Sequence, residues 1–210
     1  MIAVATVLFV AAWTICYWQA WAFLLVFFGS SFAITAYLAK HDPALLERRL
    51  AAGPSAEKEK SQKLIQLLAM VAFIPIFVFP AIDHRYGWSS VPASVALAGD
   101  MLILMGFFAV FLVFKENSYA SSIIEVGAEQ KVVATGPYAI VRHPMYSGAL
   151  VTLVGVPLAL GSWWGLLLVI PITAVLVWRL LEEEKFLTKN LPGYPEYQNK
   201  VRFHILPMLW

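Results

Sequence analysis

The chain has one cysteine, Cys16, and little charge: Asp, Glu, Lys and Arg make up 13% of its 210 residues. A single thiol excludes an internal disulfide and any cysteine-based metal site. Soluble domains carry roughly 25% charged residues, so the shortage of charge excludes an ordinary soluble fold. His41, His84 and His204 have no partners at metal-ligand spacing. No glycine-rich phosphate loop, nucleophile elbow, nucleic-acid-type basic cluster, internal repeat or low-complexity tract is present. The N-terminus lacks the basic stretch and small-residue cleavage site of a signal peptide, so Met1 to Ala12 reads as the start of a retained span.

What the chain has is apolar length. Hydrophobic residues make up 60% of it, gathered into six segments at about 2–17, 19–39, 64–82, 93–114, 145–161 and 163–181. A span needs ~20 residues, so the expected fold class is all-α, a polytopic transmembrane helical bundle of five to six membrane segments. The first and fifth segments are short for a full crossing. Tyr17-Trp18-Gln19 and Gly161-Ser162 separate neighbours so closely that the flanking segments predict tight hairpins. Pro75, Pro80, Pro157 and Pro171 predict kinks or helix ends. Trp88, Trp163 and Trp164 suit interfacial anchoring.

Fourteen of the 15 basic residues lie in three polar stretches, and only Arg85 falls on the other side. Lys40, Arg48, Arg49, Lys58, Lys60 and Lys63 follow the second segment, and Lys115, Lys131 and Arg142 follow the fourth. Arg179, Lys185, Lys189, Lys200 and Arg202 end the chain. The positive-inside rule then predicts a multi-pass protein with both termini in the cytoplasm. Stretch 115–144 and tail 182–210 share that face.

Two clusters on this face carry chemistry. The first runs Gly136-Pro137-Tyr138-Ala139-Ile140-Val141-Arg142-His143-Pro144-Met145-Tyr146-Ser147-Gly148. Pro144 suits the first turn of a helix, and free amides at Met145, Tyr146 and Ser147 would favour an anionic group there. Arg142 and His143 add donors, and Tyr138 and Tyr146 offer ring faces for a cation. A capped helix start with a snorkelling arginine is the structural alternative. The second cluster is Arg179 with Glu182-Glu183-Glu184, in which Glu182 and Glu183 lie within one helical turn of Arg179. Three acids at a helix C-terminus oppose its dipole, so basic partners or a ligand with hydroxyl and amino donors must offset them. Asn117 is a hydrogen-bonding amide or a helix cap, and Asp100, near the outer end of its segment, reads as structural.

The succession Gly136-Pro137-Tyr138, Arg142-His143-Pro144-Met145-Tyr146, Arg179 with Glu183-Glu184 and Leu187, then Tyr194, Tyr197 and Leu206-Pro207 resembles the isoprenylcysteine carboxyl methyltransferases and related membrane phospholipid methyltransferases. The resemblance covers residues 93–210 and divides the chain into N-terminal transmembrane helices with a basic loop (1–92) and a methyltransferase-like core (93–210). It implies S-adenosyl-L-methionine as cofactor in a cytoplasm-facing pocket, and a lipophilic or lipid-modified substrate entering from the bilayer among membrane lipids. No nucleic-acid partner and no metal are expected.

Carried over by position, the resemblance implies cofactor contacts at Gln130, Lys131, Val132, Val133, Tyr138, His143, Pro144, Met145, Tyr146 and Glu183. Arg179 would be the catalytic residue facing the substrate. The expected reaction is carboxyl O-methylation of a prenylcysteine-type acceptor. A phospholipid amine or small thiol is the alternative, with His143 or Glu184 as candidate base for an amine. A nicotinamide-dependent membrane reductase is the reading from another class. One departure is plain: His204 stands where relatives often carry arginine.

Overall fold

A computed structural model describes residues 1–53, 55, 57, 60–127 and 130–210, with Lys60 described by its backbone alone. Lys58, one of the bases that set the expected orientation, lies outside the described residues, as does the side chain of Lys60. Among the described residues the fold is all helical: α1 (Ile2–Ala12), α2 (Trp18–His41), α3 (Pro43–Leu50), α4 (Lys60–Phe73), α5 (Pro75–Tyr86), α6 (Ala93–Glu116), α7 (Pro144–Ala159), α8 (Val169–Asn190) and α9 (Tyr194–Lys200). Short 3-10 turns occupy Gly136–Ala139 and Trp164–Leu168.

Each expected apolar segment became helix. Four stretches are long and apolar enough to cross a membrane: Trp18–His41, Ser61–Tyr86, Ala93–Glu116 and Trp164–Asn190. The first and fifth segments formed the shorter apolar helices Ile2–Ala12 and Pro144–Ala159. Local chemistry sets the boundaries. Asp42 caps α3 by accepting from the Leu45 amide at 2.9 Å, with Pro43 at the first helical position. Pro75 opens α5 after a one-residue break at Ile74, and Gly87 ends it in the left-handed region. Pro80 and Pro157 sit inside α5 and α7, while Pro171 falls in the first turn of α8.

The described chain forms two compact units. The first comprises Met1–Ala33, Ala69–Phe107 and Ala149–Ala174. Within it α1 packs on α5, and Leu8, Phe23, Ile76, Ile103 and Val156 are buried. Asp83 gathers polar ends here: its carboxylate accepts from the Ser89 amide at 2.7 Å, the Ser89 hydroxyl at 2.6 Å and the Ser162 hydroxyl. Asp100 is buried in the same unit, with its Oδ1 lacking a hydrogen-bond partner among the described residues.

Two helices of this unit meet through glycine. A Cβ on Gly99 of α6 would lie 2.3 Å from the Ala159 nitrogen and 2.8 Å from the Gly155 oxygen of α7. Such small-residue contacts let helix backbones approach closely in a membrane. Gly99→Ala is therefore expected to lower the thermal midpoint in detergent, because the clash is with backbone that cannot rotate away; overpacking of this kind costs about 1–3 kcal/mol or more. Gly29→Ala, whose Cβ meets nothing within 4 Å, should leave the midpoint unchanged or raise it, since alanine is the better helix former. Equal effects of the two substitutions would refute the close-approach reading.

Candidate active site

The second unit comprises Ile34–Leu68, Phe108–Gly148 and Val175–Trp210, and it holds every residue expected at the site. Two apolar clusters build its frame. One gathers Leu38, Leu45, Val113, Phe114 and Ala120, with Tyr138 and Met145 packed against it. The other gathers Leu191, Tyr194, Tyr197 and Val201, with Val132 and Tyr138 against it. Tyr138 touches both. Its hydroxyl accepts from Asn117 Nδ2 at 2.9 Å, and its backbone carbonyl accepts from the Tyr197 hydroxyl at 2.7 Å. Burial pushes the Tyr138 phenol up to about 12, so it stays neutral at pH 7. Asn117 meets both of its readings, since its Oδ1 also accepts from the Tyr119 amide as a cap.

The start of α7 is bolted to the tail by Arg142. Its guanidinium donates to both oxygens of Glu184, at 2.5 and 3.3 Å, and to the carbonyls of Val201 and Arg202, at 2.8 and 2.9 Å. The two side chains are only 7% and 10% exposed. Backbone pairing reinforces the bolt, with the amides of Arg142 and His143 donating to the carbonyls of Phe203 and His204 at 2.9 Å. His143 Nε2 donates to Glu184 Oε1 at 3.0 Å. Arg142 is therefore a structural clamp, not the free donor that the sequence suggested.

His204 Nε2 lies 2.6 Å from Arg142 NH2 and 3.2 Å from Glu184 Oε2. A guanidinium cannot accept, so this nitrogen accepts from Arg142 and the ring is the neutral Nδ1–H tautomer. Burial lowers the His204 pKa against the opposing pull of Glu184, which agrees. The imidazole thus does what an arginine at this position cannot: it accepts a bond from Arg142.

The amides expected to be free are mostly spent. Those of Tyr146 and Ser147 donate to the His143 carbonyl at 3.0 and 3.2 Å, because the helix begins on that carbonyl. The Ser147 hydroxyl reaches Ile205 O at 2.6 Å. The helix start is a joint to the tail more than an open anion nest.

The acids of α8 each find a partner. Glu182 pairs with Lys185 at 2.6 Å on the surface, where such a pair is worth little. Glu184 belongs to the Arg142 clamp. Glu183 Oε2 accepts from the Tyr146 hydroxyl at 2.7 Å. Tyr146 and Glu183, 37 residues apart in sequence, are in direct contact.

Arg179 is engaged in a way the sequence did not show. Its NH2 donates to Glu57 Oε1 at 3.0 Å and to the Ser122 carbonyl at 2.9 Å. Glu57 is almost wholly buried, its side chain 1% exposed. Arg49 holds the neighbouring carbonyl, Ser121 O, at 3.0 Å and lies 3.7 Å from Met145 Sδ, with its guanidinium over the Phe114 ring. Burial and the nearby Arg179 charge lower the Arg49 pKa. Among the described residues no carboxylate lies within ion-pair distance of Arg49.

Of the remaining expected contacts, Val132 packs in the Tyr194 cluster, Val133 is half-buried and Lys131 is exposed. Gln130 Oε1 accepts from the Gly127 amide at 3.0 Å. Pro144 is buried at the start of α7. Reasoning from sequence missed Glu57 and Arg49. Glu57 sits in a mixed-charge stretch that reads as solvated loop, and Arg48-Arg49 reads as an orientation signal.

Residues 95–192 match phospholipid methyltransferase. That segment is similar to the phospholipid methyltransferase family over 98 of the chain's 210 residues. No curated protein matches it. Together with four helices, among the described residues, long and apolar enough to cross a bilayer, this similarity points to an integral-membrane methyltransferase. The match takes in the Tyr138, His143–Tyr146 and Arg179–Glu184 positions, so the resemblance drawn from those residues holds.

Proposed function

We propose that this methyltransferase uses S-adenosyl-L-methionine and methylates a lipophilic amine, most simply the headgroup of a phospholipid, with both termini in the cytoplasm where the basic residues gather. The observation that carries the cofactor reading is the Tyr146–Glu183 contact at 2.7 Å, which joins the two clusters expected to share one ligand. The donor set fits that ligand. Glu183 offers a carboxylate for an ammonium or for hydroxyls. Arg49 is a cation with no described carboxylate at ion-pair distance and suits the ligand's own carboxylate. Tyr194 Oη is buried without a hydrogen-bond partner in a residue 4% exposed, and a buried hydroxyl in that state calls for one. Val132 and Tyr138 would supply apolar walls, and Gln130, Lys131 and Val133 flank them.

When bound, the cofactor supplies a methyl group on sulfonium sulfur, which leaves as a neutral thioether. The chain's own share is orientation, exclusion of water and proton handling. An amine acceptor must lose a proton. His143 donates through Nε2 to Glu184, which leaves Nδ1 as the atom able to take that proton.

The engagement of Arg179 supports an amine acceptor. A prenylcysteine-type carboxylate, the acceptor the resemblance suggests, would need this guanidinium, and Glu57 already holds it. An amine acceptor leaves the pair intact. Carboxyl O-methylation remains the second reading, favoured by the fact that this guanidinium does hold a carboxylate. The family match leaves the nicotinamide reductase without support.

Two measurements test the proposal. Calorimetry in detergent should show binding of S-adenosylhomocysteine; no binding at millimolar ligand would overturn the cofactor. Incubation with methyl-labelled cofactor and separate pools of phosphatidylethanolamine, farnesylated N-acetylcysteine and a small thiol should label the lipid. Label confined to the prenylcysteine pool would establish the second reading instead.

A further inference from the structure

The Glu57 carboxylate sits in a built anion site. Oε1 accepts from Arg179 NH2 at 3.0 Å and from Gln66 Nε2 at 2.7 Å, and Oε2 accepts from the Ile124 amide at 3.3 Å. A cation, an amide side chain and a backbone N–H, from three separate stretches of chain, converge on one carboxylate. The same Arg179 nitrogen also bonds Ser122 O, so both of its protons are spent. Arg179 acts electrostatically on Tyr146 and Glu183 as well, which ties this site to the proposed cofactor contacts.

We propose that Glu57 determines acceptor specificity by filling the carboxylate site on Arg179 with a residue of the chain itself, so that carboxylate acceptors are rejected. The inference rests on the reading of Arg179 as the side chain that faces the acceptor. Its physical basis is repulsion combined with occupancy. A second carboxylate brought to Arg179 meets a like charge where solvent screening is weak, and it finds no free protons on NH2. Specificity built by an element that opposes the wrong ligand is a common device. An uncharged headgroup or an amine meets no such penalty, because it brings no negative charge against Glu57.

The opposite outcome is equally well defined. If an acceptor carboxylate displaces Glu57 without cost, the pair is only a place-holder, and removing the Glu57 charge changes nothing. Equilibrium binding to the full-length protein in detergent separates the two cases without cofactor or turnover. The probes are farnesylated N-acetylcysteine, which carries a carboxylate, and its methyl ester, which does not.

Glu57→Gln keeps the shape and the contact with Gln66 while freeing the Arg179 charge. It should bind the acid at least tenfold more tightly than the natural chain does, with affinity for the ester unchanged. Adding Arg179→Gln to that variant should abolish the gain. Glu57→Asp, which keeps the charge, should stay near the natural chain, and the acid-to-ester ratio within each preparation is independent of the fraction folded. A natural chain that prefers the acid to the ester as strongly as Glu57→Gln does would overturn the proposal. So would a gain that survives the loss of Arg179. Neither result bears on S-adenosylhomocysteine binding, which fails or succeeds in its own calorimetric measurement.

Discussion

Replacing Arg142 with alanine is expected to remove about 3–5 kcal/mol of stability, the cost of leaving a buried charge without its partner. The side chain makes five polar contacts: two to Glu184, one each to the Val201 and Arg202 carbonyls, and one to His204. Its loss leaves Glu184, 10% exposed, without its guanidinium partner, and leaves the Val201 and Arg202 carbonyls without the bonds Arg142 gives them. Each unpaired buried acceptor adds about 1–3 kcal/mol. Arg142→Lys should recover part of the loss, because the charge returns without the planar fork that serves carboxylate and carbonyls together. Thermal unfolding in detergent, read alongside protease sensitivity of the tail, checks this. The tail should be cut first, since residues 201–204 are the ones released. A midpoint equal to that of the natural chain would show that the clamp is dispensable.

Much of this was legible in the sequence, and the reason is the membrane. A bilayer demands long apolar helices, so composition alone yields segments that match the helices at Ile2–Ala12, Trp18–His41, Ala93–Glu116 and Pro144–Ala159. Proline and glycine then mark ends in the expected places, as at Pro75 and Gly87. The Tyr146–Glu183 contact was legible too, because ring and acid chemistry is scarce in such a chain and stands out. Partners within the polar stretches were not legible. Nothing in a mixed-charge run singles out Glu57 to meet Arg179 across 122 residues of sequence. Arg142 and Glu184 were each visible as chemistry, but only the fold shows that they satisfy each other. A charged residue beside a candidate pocket has two destinations, ligand or neighbour, and the choice is made by tertiary geometry that local pattern does not encode.

Glu183 is where that choice is expected to have its largest functional effect. Glu183→Gln is expected to weaken S-adenosylhomocysteine binding by about 1.5–3 kcal/mol, the range for a hydrogen bond to a charged group, which is roughly ten- to 150-fold in affinity. The fold should survive, because glutamine keeps an acceptor oxygen for the Tyr146 hydroxyl that now lies 2.7 Å away. Tyr146→Phe should cost less, about 0.5–1.5 kcal/mol, since it removes the group that aims Glu183 and leaves the charge in place. Tyrosine acts here through the carboxylate, so the double variant should lose less than the two single losses added together. Calorimetry on the four proteins, with thermal midpoints measured in parallel, separates binding from folding. Additive losses would mean that Tyr146 meets the ligand independently of Glu183. An unchanged affinity in Glu183→Gln would remove Glu183 from the cofactor site and leave its bond to Tyr146 as a purely structural link between α7 and α8.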